Sequence, residues 1–268
     1  MIDSGHGRKL EKVGGLLIDR PCNVAIWEPQ CKEKWKEADA VFTREKEGNW
    51  IFTRKKSSWQ VEIENVLFHV TPTDFGHLGF FPEHAFLWKW MRGKFRERNA
   101  NVSFLNLFAY SGGASLVAAQ EKAKVCHLDA SKPMVAMARE NAKLNGLSEA
   151  PIRWIVDDVK KFLLREKKRE VQYDAILLDP PSFGRGTNNE IFTIEEDIIS
   201  LLEMCKSLLS KDPLFVAFSC HTPGFTPTVL HHLLKQTFGG KISIGEMLLP
   251  SVSSFSLPSG SYAIWEGK

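Results

Sequence analysis

Val102-Ser103-Phe104-Leu105-Asn106-Leu107-Phe108-Ala109-Tyr110-Ser111-Gly112-Gly113 is an apolar run that breaks on a glycine pair, after which small and apolar residues continue to Lys122. The run predicts a strand over 102–108, and the small, apolar segment behind the glycines predicts a helix over 112–122. The same unit recurs downstream. A strand at 125–129 precedes a helix that Ser131 caps, with Pro133 in its first turn and Met134, Met137, Ala138 and Ala142 on one face up to Asn145-Gly146. Strands at 152–156, 173–179 and 214–219 then alternate with helices at 159–167, 194–209 and 227–238. Regular alternation of this kind predicts a parallel sheet covered by helices on both faces, because right-handed crossovers cover each side in turn. The tail departs from it: strands at 241–249 and 261–265 come one after the other without a helix, so the last pair is expected antiparallel at the sheet edge.

Upstream the texture changes. Residues 39–44 and 50–54 flank Glu47-Gly48-Asn49, and 59–63 and 67–71 flank Glu64-Asn65, which reads as two β-hairpins. A Gly- and Phe-rich stretch, 75–82, leads into a helical pattern of Phe86, Leu87, Trp90 and Met91. The expected division is a small β-rich N-terminal domain over 1–85 and an α/β domain over 86–268.

With 268 residues, 43% hydrophobic and 25% charged, the chain has enough apolar content for a large core, which excludes a disordered tail or a minimal binding peptide. The net charge is +3, and the excess lies in the first hundred residues, with 17 basic and 14 acidic against 18 of each in the remainder. That bias is too weak to imply a nucleic acid by itself. Five cysteines without C-x-x-C spacing argue against a disulfide framework or structural zinc, and fit a reducing cytoplasm. The histidines show no metal-site spacing, so no metal is expected. No apolar stretch approaches the ~20 residues of a membrane helix.

In an open parallel sheet, ligands bind beyond the carboxyl ends of the strands. The first strand runs into Gly112-Gly113 at a helix N-terminus, where backbone can approach a ligand closely. The second ends in Asp129, suited to ribose hydroxyls; the third in Asp157-Asp158, suited to an adenine amino group; the fourth in Asp179-Pro180-Pro181, a rigid cleft floor carrying a carboxylate. The first loop lacks G-x-G-x-x-G, which disfavours a nicotinamide cofactor.

The order and spacing of these elements over 100–268 resemble the class I S-adenosylmethionine-dependent methyltransferases. Leu105–Gly113, Asp179-Pro180-Pro181-Ser182-Phe183-Gly184-Arg185-Gly186 and Gly79-Phe80-Phe81-Pro82-Glu83-His84 look like the large-subunit rRNA methyltransferases of the RlmI/RlmK type, with His84 where a glutamine is expected. The resemblance implies a Rossmann-like seven-stranded methyltransferase sheet with an antiparallel last strand, and S-adenosylmethionine as cofactor. It implies a cofactor site drawn from Phe81, Asn106, Phe108, Tyr110, Ser111, Gly112, Gly113, Asp129, Ala130, Ser131, Asp157, Asp158, Val159, Asp179, Pro180 and Pro181. Its expected partner is ribosomal RNA.

Two chemistries are open for the acceptor. Methylation at C5 of a pyrimidine needs a nucleophile that adds to C6, and Cys220, next to His221 at the end of the fifth strand, is the favoured candidate; its alternative is a packing cysteine. Methylation of a nitrogen, such as that of guanine, needs only a polar clamp, here Asp179 to Phe183, with the aromatic one residue later than in the (Asp/Asn)-Pro-Pro-(Tyr/Phe) pattern. Phe183 and Arg185 are candidate substrate contacts. So are Arg92, Lys94 and Arg96, in a basic run beside Trp88 and Trp90 that suits phosphate contact and stacking, with an ordinary solvated face as the alternative. A protein or small-molecule acceptor, or a non-catalytic RNA-binding protein on the same scaffold, remains open, although intact Asp129, Asp158 and Asp179 count against the last.

Overall fold

Alternation of buried and exposed residues organises the amino-terminal strands of the computed structural model, which describes residues 1–44, 49–53, 59–98, 101–186, 190–252 and 255–267. Strands β1 (Asp3–Gly5), β2 (Arg8–Val13), β3 (Leu16–Pro21), β4 (Ala40–Thr43) and β5 (Asn49–Phe52) form one sheet in chain order. Their neighbours are antiparallel except β3 and β4, which run parallel. The crossover between those two is tied down by Asp3, whose carboxylate accepts the Gln30 and Cys31 amides (3.2 and 2.8 Å) and the Trp35 indole N–H (2.9 Å). Leu16 and Ile18, then Ala40 and Phe42, point inward at every second position. The 39–44/50–54 hairpin forms as β4–β5, its turn at 45–48 lying outside the described residues. In the second hairpin, β6 (Trp59–Ile63) and β7 (Val66–Val70), Glu64 and Asn65 take φ of 48° and 61°, the left-handed pair that a two-residue turn requires.

Two compact units divide the chain, Met1–Ala85 with Leu248–Ser259, and Phe86–Met247 with Gly260–Lys268. Residues 248–259, read from sequence as part of the second domain, therefore pack in the first unit. There Leu249 and Leu257 bury with Ala25 beneath Met1, Cys22 and Trp27, and Ser251 donates to the Ile2 carbonyl. The physical reason is apolar: these side chains complete a small cluster that residues 1–85 alone leave open.

The second unit begins in α1 (Ala85–Arg98) and keeps the alternation read from the sequence: β8 (Ser103–Leu107), α2 (Gly113–Gln120), β9 (Lys124–Asp129), α3 (Lys132–Leu144), β10 (Ile152–Val156), α4 (Val159–Lys168) and β11 (Ala175–Leu178). A short hairpin, β12 (Phe183–Arg185) and β13 (Ile191–Thr193), interrupts it before α5 (Ile194–Ser207), β14 (Phe215–Cys220), α6 (Pro227–Phe238), β15 (Ile242–Leu249) and β16 (Leu257–Glu266). The sheet order is β10-β9-β8-β11-β14-β16-β15. Pairing is parallel from β10 to β14, and β16 lies antiparallel to β14. The order reverses between β8 and β11, which sets the crevice where a ligand is expected.

Period-two alternation gives the sheet two unlike faces. Leu105, Leu107, Cys126, Leu128, Ile176, Leu178, Val216, Phe218 and Cys220 share one apolar cluster with buried residues of α4, α5 and α6. On the other face Phe104 and Phe215 meet Phe95 and Trp90 of α1. Asn106 donates to Ser115 of α2 (2.9 Å), and Ser115 reaches His127 Nδ1 (3.0 Å). Burial lowers the His127 pKa to about 3, so the ring is neutral.

Candidate functional site

The loop leaving β8 is unusually bent. Phe108 and Tyr110 have φ of 55° and 49°, and Gly112, capping α2, has φ of 95°. Non-glycine residues persist in such conformations only where their surroundings impose them. Asp129 is that constraint: one carboxylate oxygen accepts the Tyr110 amide (2.9 Å) and the other the Ser131 amide (2.8 Å). Burial raises the Asp129 pKa, against the pull of the two amides. Each oxygen keeps a lone pair for a further donor, such as a hydroxyl.

The glycine pair has a packing cause. A Cβ on Gly113 would lie 2.2 Å from the Trp88 indole, and one on Gly112 3.1 Å from the Ala138 Cβ. Gly113→Ala is expected to cost about 1–3 kcal/mol, the usual scale for overpacking a buried site. Thermal melting measures it, and an unchanged midpoint would mean that Trp88 moves aside freely.

At the third strand end, Asp157 accepts the Asp158 amide (2.8 Å) and pairs with Arg165. Asp158 caps α4 through the Lys161 amide (2.9 Å), and its second oxygen faces Gly186, where a Cβ would sit 3.1 Å away. The cap uses one of the two oxygens intended for an adenine. At the fourth strand end, Ser219 donates to Asp179 (2.9 Å), and His221 Nδ1 lies 3.4 Å from the same carboxylate oxygen. The Ser182 and Thr222 hydroxyls bond each other (2.8 Å), pinning the Pro180-Pro181 loop to the end of β14. Beyond it Phe183 is 54% exposed, with the Arg185 guanidinium 5.9 Å from its ring centre.

Tyr110, Asp129, Ala130, Ser131, Asp157 and Asp179 are half-buried, and Pro181 is exposed. Asn106, Ser111 and Val159 are buried; Phe108 packs on Phe192 with ring centres 5.2 Å apart. Phe81 lies in the first unit, its ring against His77 and His84. Ser219, His221 and Thr222 were missed as partners of the Asp179 loop. Their closeness to Cys220 in the chain, at the same strand end as the crevice, was the available signal.

Two groups of candidate residues have surroundings that residue type alone does not disclose. Cys220 is 1% exposed and sits in the apolar cluster on the same face as Val216 and Phe218, whereas its neighbour Ser219 reaches Asp179. Burial raises its thiol pKa, outweighing the Thr222 contacts, the reverse of an activated thiolate. The basic run on α1 is tied up within the protein. Arg92 and Arg96 both bind Glu121, Lys94 binds Glu266 (2.6 Å) and Arg98 binds Asp212 (2.6 Å). Trp88 is buried against Gly113, and Trp90 is half-buried against Phe215.

The donor set tests the cofactor. Carboxylates end the second, third and fourth strands, and the bent loop after β8 holds no Lys or Arg, a composition that suits a ligand with hydroxyl and amino groups, a cationic centre and no phosphate. S-adenosylmethionine has that composition. A family scan matches residues 39–237 to the S-adenosylmethionine-dependent methyltransferases. The solved SAM-dependent methyltransferase from Agrobacterium tumefaciens superposes with a TM-score of 0.96 at 36% identity, covering 100% of this chain and 89% of that one. The Ribosomal RNA large subunit methyltransferase K/L of Pseudoalteromonas translucida is 34% identical over 167 residues, 62% of this chain and 23% of that protein. The Syntrophotalea carbinolica protein of the same name is 31% identical over 165 residues, 61% and 22%. The match thus spans less than a quarter of the length of these curated relatives.

Proposed function

Because this chain belongs to the S-adenosylmethionine-dependent methyltransferases, we propose that it methylates a base of large-subunit ribosomal RNA, with no covalent bond between protein and base. The RNA acceptor is supported by the curated relatives named above. The absence of a covalent step is supported by Cys220, whose buried thiol faces the helices behind the sheet. When bound, S-adenosylmethionine supplies an electrophilic methyl group on a sulfonium.

The remaining work falls to the chain. Asp129 would hold the cofactor's hydroxyls, and Asp158 would contribute its one oxygen outside the helix cap. Asp179, oriented by Ser219 and His221, presents a carboxylate on the cleft floor that accepts a hydrogen bond from the target base or steadies positive charge developing on it. The exposed Phe183 ring offers a stacking face, and Arg185 a cation for a neighbouring phosphate. This arrangement suits methylation of a base nitrogen.

The test is methyl transfer to rRNA, measured with modified-nucleoside profiles of cells with and without the gene. Asp179→Ala is expected to lower kcat by about 100-fold or more, the scale for removing a positioned charge partner, while Cys220→Ala keeps transfer within about threefold of wild type, as expected of a packing substitution that leaves the site intact. A trapped adduct on RNA carrying a 5-fluoropyrimidine, lost in Cys220→Ala, would overturn the direct route. Unmodified rRNA profiles would overturn the acceptor.

A further inference from the structure

The first unit holds a cavity of about 170 Å³ whose walls bring together Lys9, Arg20, Arg44, His77 and Phe75. Its construction derives from the sheet. Lys9 on β2 stands opposite Arg20 on β3 in antiparallel register, and Arg44 comes just after the end of β4. Arg20 is fixed: its Nε donates to Glu11 (2.9 Å) and its Nη1 to the Gly76 carbonyl (2.7 Å). Gly76 has φ of 80°, and a Cβ there would come 2.5 Å from the Phe42 ring, so the 73–77 turn is pressed onto the sheet with its carbonyl aimed at Arg20. The Trp50 indole N–H donates to the Thr73 carbonyl (2.8 Å) and anchors the same turn. These walls are formed before any ligand arrives.

Among the described residues the lining carries three cations against one carboxylate, Glu83. Glu11, beneath, offsets a further charge through Lys9 and Arg20. Arg44 is exposed and makes no ion pair among the described residues. Burial, then Arg20, Arg44 and Lys9, lowers the His77 pKa, which keeps that ring neutral in a positive environment. Phe75 is 79% exposed, a large ring left in water beside the cations. Arg44, which makes no ion pair among the described residues, and the exposed Phe75 ring match a nucleotide of a single strand, its phosphate on the guanidinium and its base on the ring.

We propose that this cavity is an RNA-binding subsite, taking one backbone phosphate at Arg44 and a stacked base at Phe75. The proposal rests on the reading of the acceptor as RNA, and it assigns the first unit a role in holding substrate. Arg44 and Phe75 are surface side chains, so their replacement leaves the buried sheet intact.

The experiment is anisotropy of a labelled single-stranded oligoribonucleotide with the full chain over a salt series, with S-adenosylmethionine affinity measured in parallel by calorimetry. The Arg44→Glu, Phe75→Ala double variant is expected to bind RNA about tenfold more weakly, with the slope of log K against log salt reduced by about 1. Its cofactor affinity and melting midpoint are expected to match wild type. Wild-type affinity and slope in the double variant overturn the subsite while leaving the acceptor reading in place. Weakened cofactor binding with unchanged RNA binding also overturns it, making the cavity part of the cofactor's surroundings. A wild-type chain that shows no salt-dependent RNA binding overturns both.

Discussion

Asp129→Asn weakens S-adenosylmethionine binding by about 1.5–3 kcal/mol, roughly 10- to 150-fold, on the scale of charge-assisted hydrogen bonds. The asparagine is nearly isosteric, so the loss comes from hydrogen-bond polarity. In the native protein both carboxylate oxygens accept backbone amides, from Tyr110 and from Ser131. An asparagine turns one of those oxygens into an NH2 group facing an N–H, donor against donor. The bent loop that holds Tyr110 in left-handed backbone loses its clamp, and the hydroxyl-accepting charge disappears with it. Calorimetry with S-adenosylmethionine measures the effect. Full affinity in a variant that melts normally would overturn the proposed role of Asp129 in holding the cofactor.

Glu166→Ala is expected to cost about 2–4 kcal/mol of stability. The Glu166 side chain is fully buried and accepts from Arg153 (2.8 and 3.0 Å), the Tyr173 hydroxyl (2.7 Å) and Arg169 (3.3 Å). Arg153 is partly exposed and rehydrates when the carboxylate is removed; the buried Tyr173 hydroxyl does not. Burial pushes the Glu166 carboxyl up, but Arg153 and Tyr173 outweigh it and hold the pKa below its ordinary 4.5. A folded-state pKa below the unfolded one means that the stabilisation is complete at neutral pH and is lost as the pH falls below about 4.5 towards the folded value. Urea midpoints should therefore fall on acidification in wild type and less steeply in Glu166→Gln. Equal acid limbs in the two proteins would show that Glu166 is not the group responsible.

The parallel sheet was legible because each of its strands is an apolar run ended by a turn or capping residue, from Gly112 after the first to Asp158 after the third. Side-chain direction was harder to read. Ser219 and Cys220 are adjacent in the chain and both end at the cleft, yet the pleat sends one to Asp179 and the other into the core. Their alternation with Val216 and Phe218 is visible in the sequence, but the chemistry of a Cys-His pair outweighs it in a reading by residue type. The pairing of the α1 cations was hidden for another reason. Their partners Glu121, Asp212 and Glu266 come from distant elements, so no local window reveals that the charges are already matched. Asp158 reads from the sequence as an acceptor at a strand end, and the fold shows that one of its oxygens caps α4.

Residues 248–259 belong to the first unit although nearly the whole second unit precedes them in the chain, and the Ile2–Ser251 hydrogen bond joins residues 249 apart. Synthesis proceeds from the amino end, so the domain translated first stays incomplete until residue 259, after nearly all of the second unit has been made. Until the late segment emerges from the ribosome, Ala25 and Trp27 lack Leu249 and Leu257, and the nascent first unit presents an unfinished apolar edge to chaperones and proteases. A chain that terminates before residue 248 lacks both leucines, and its first unit keeps that apolar edge uncovered.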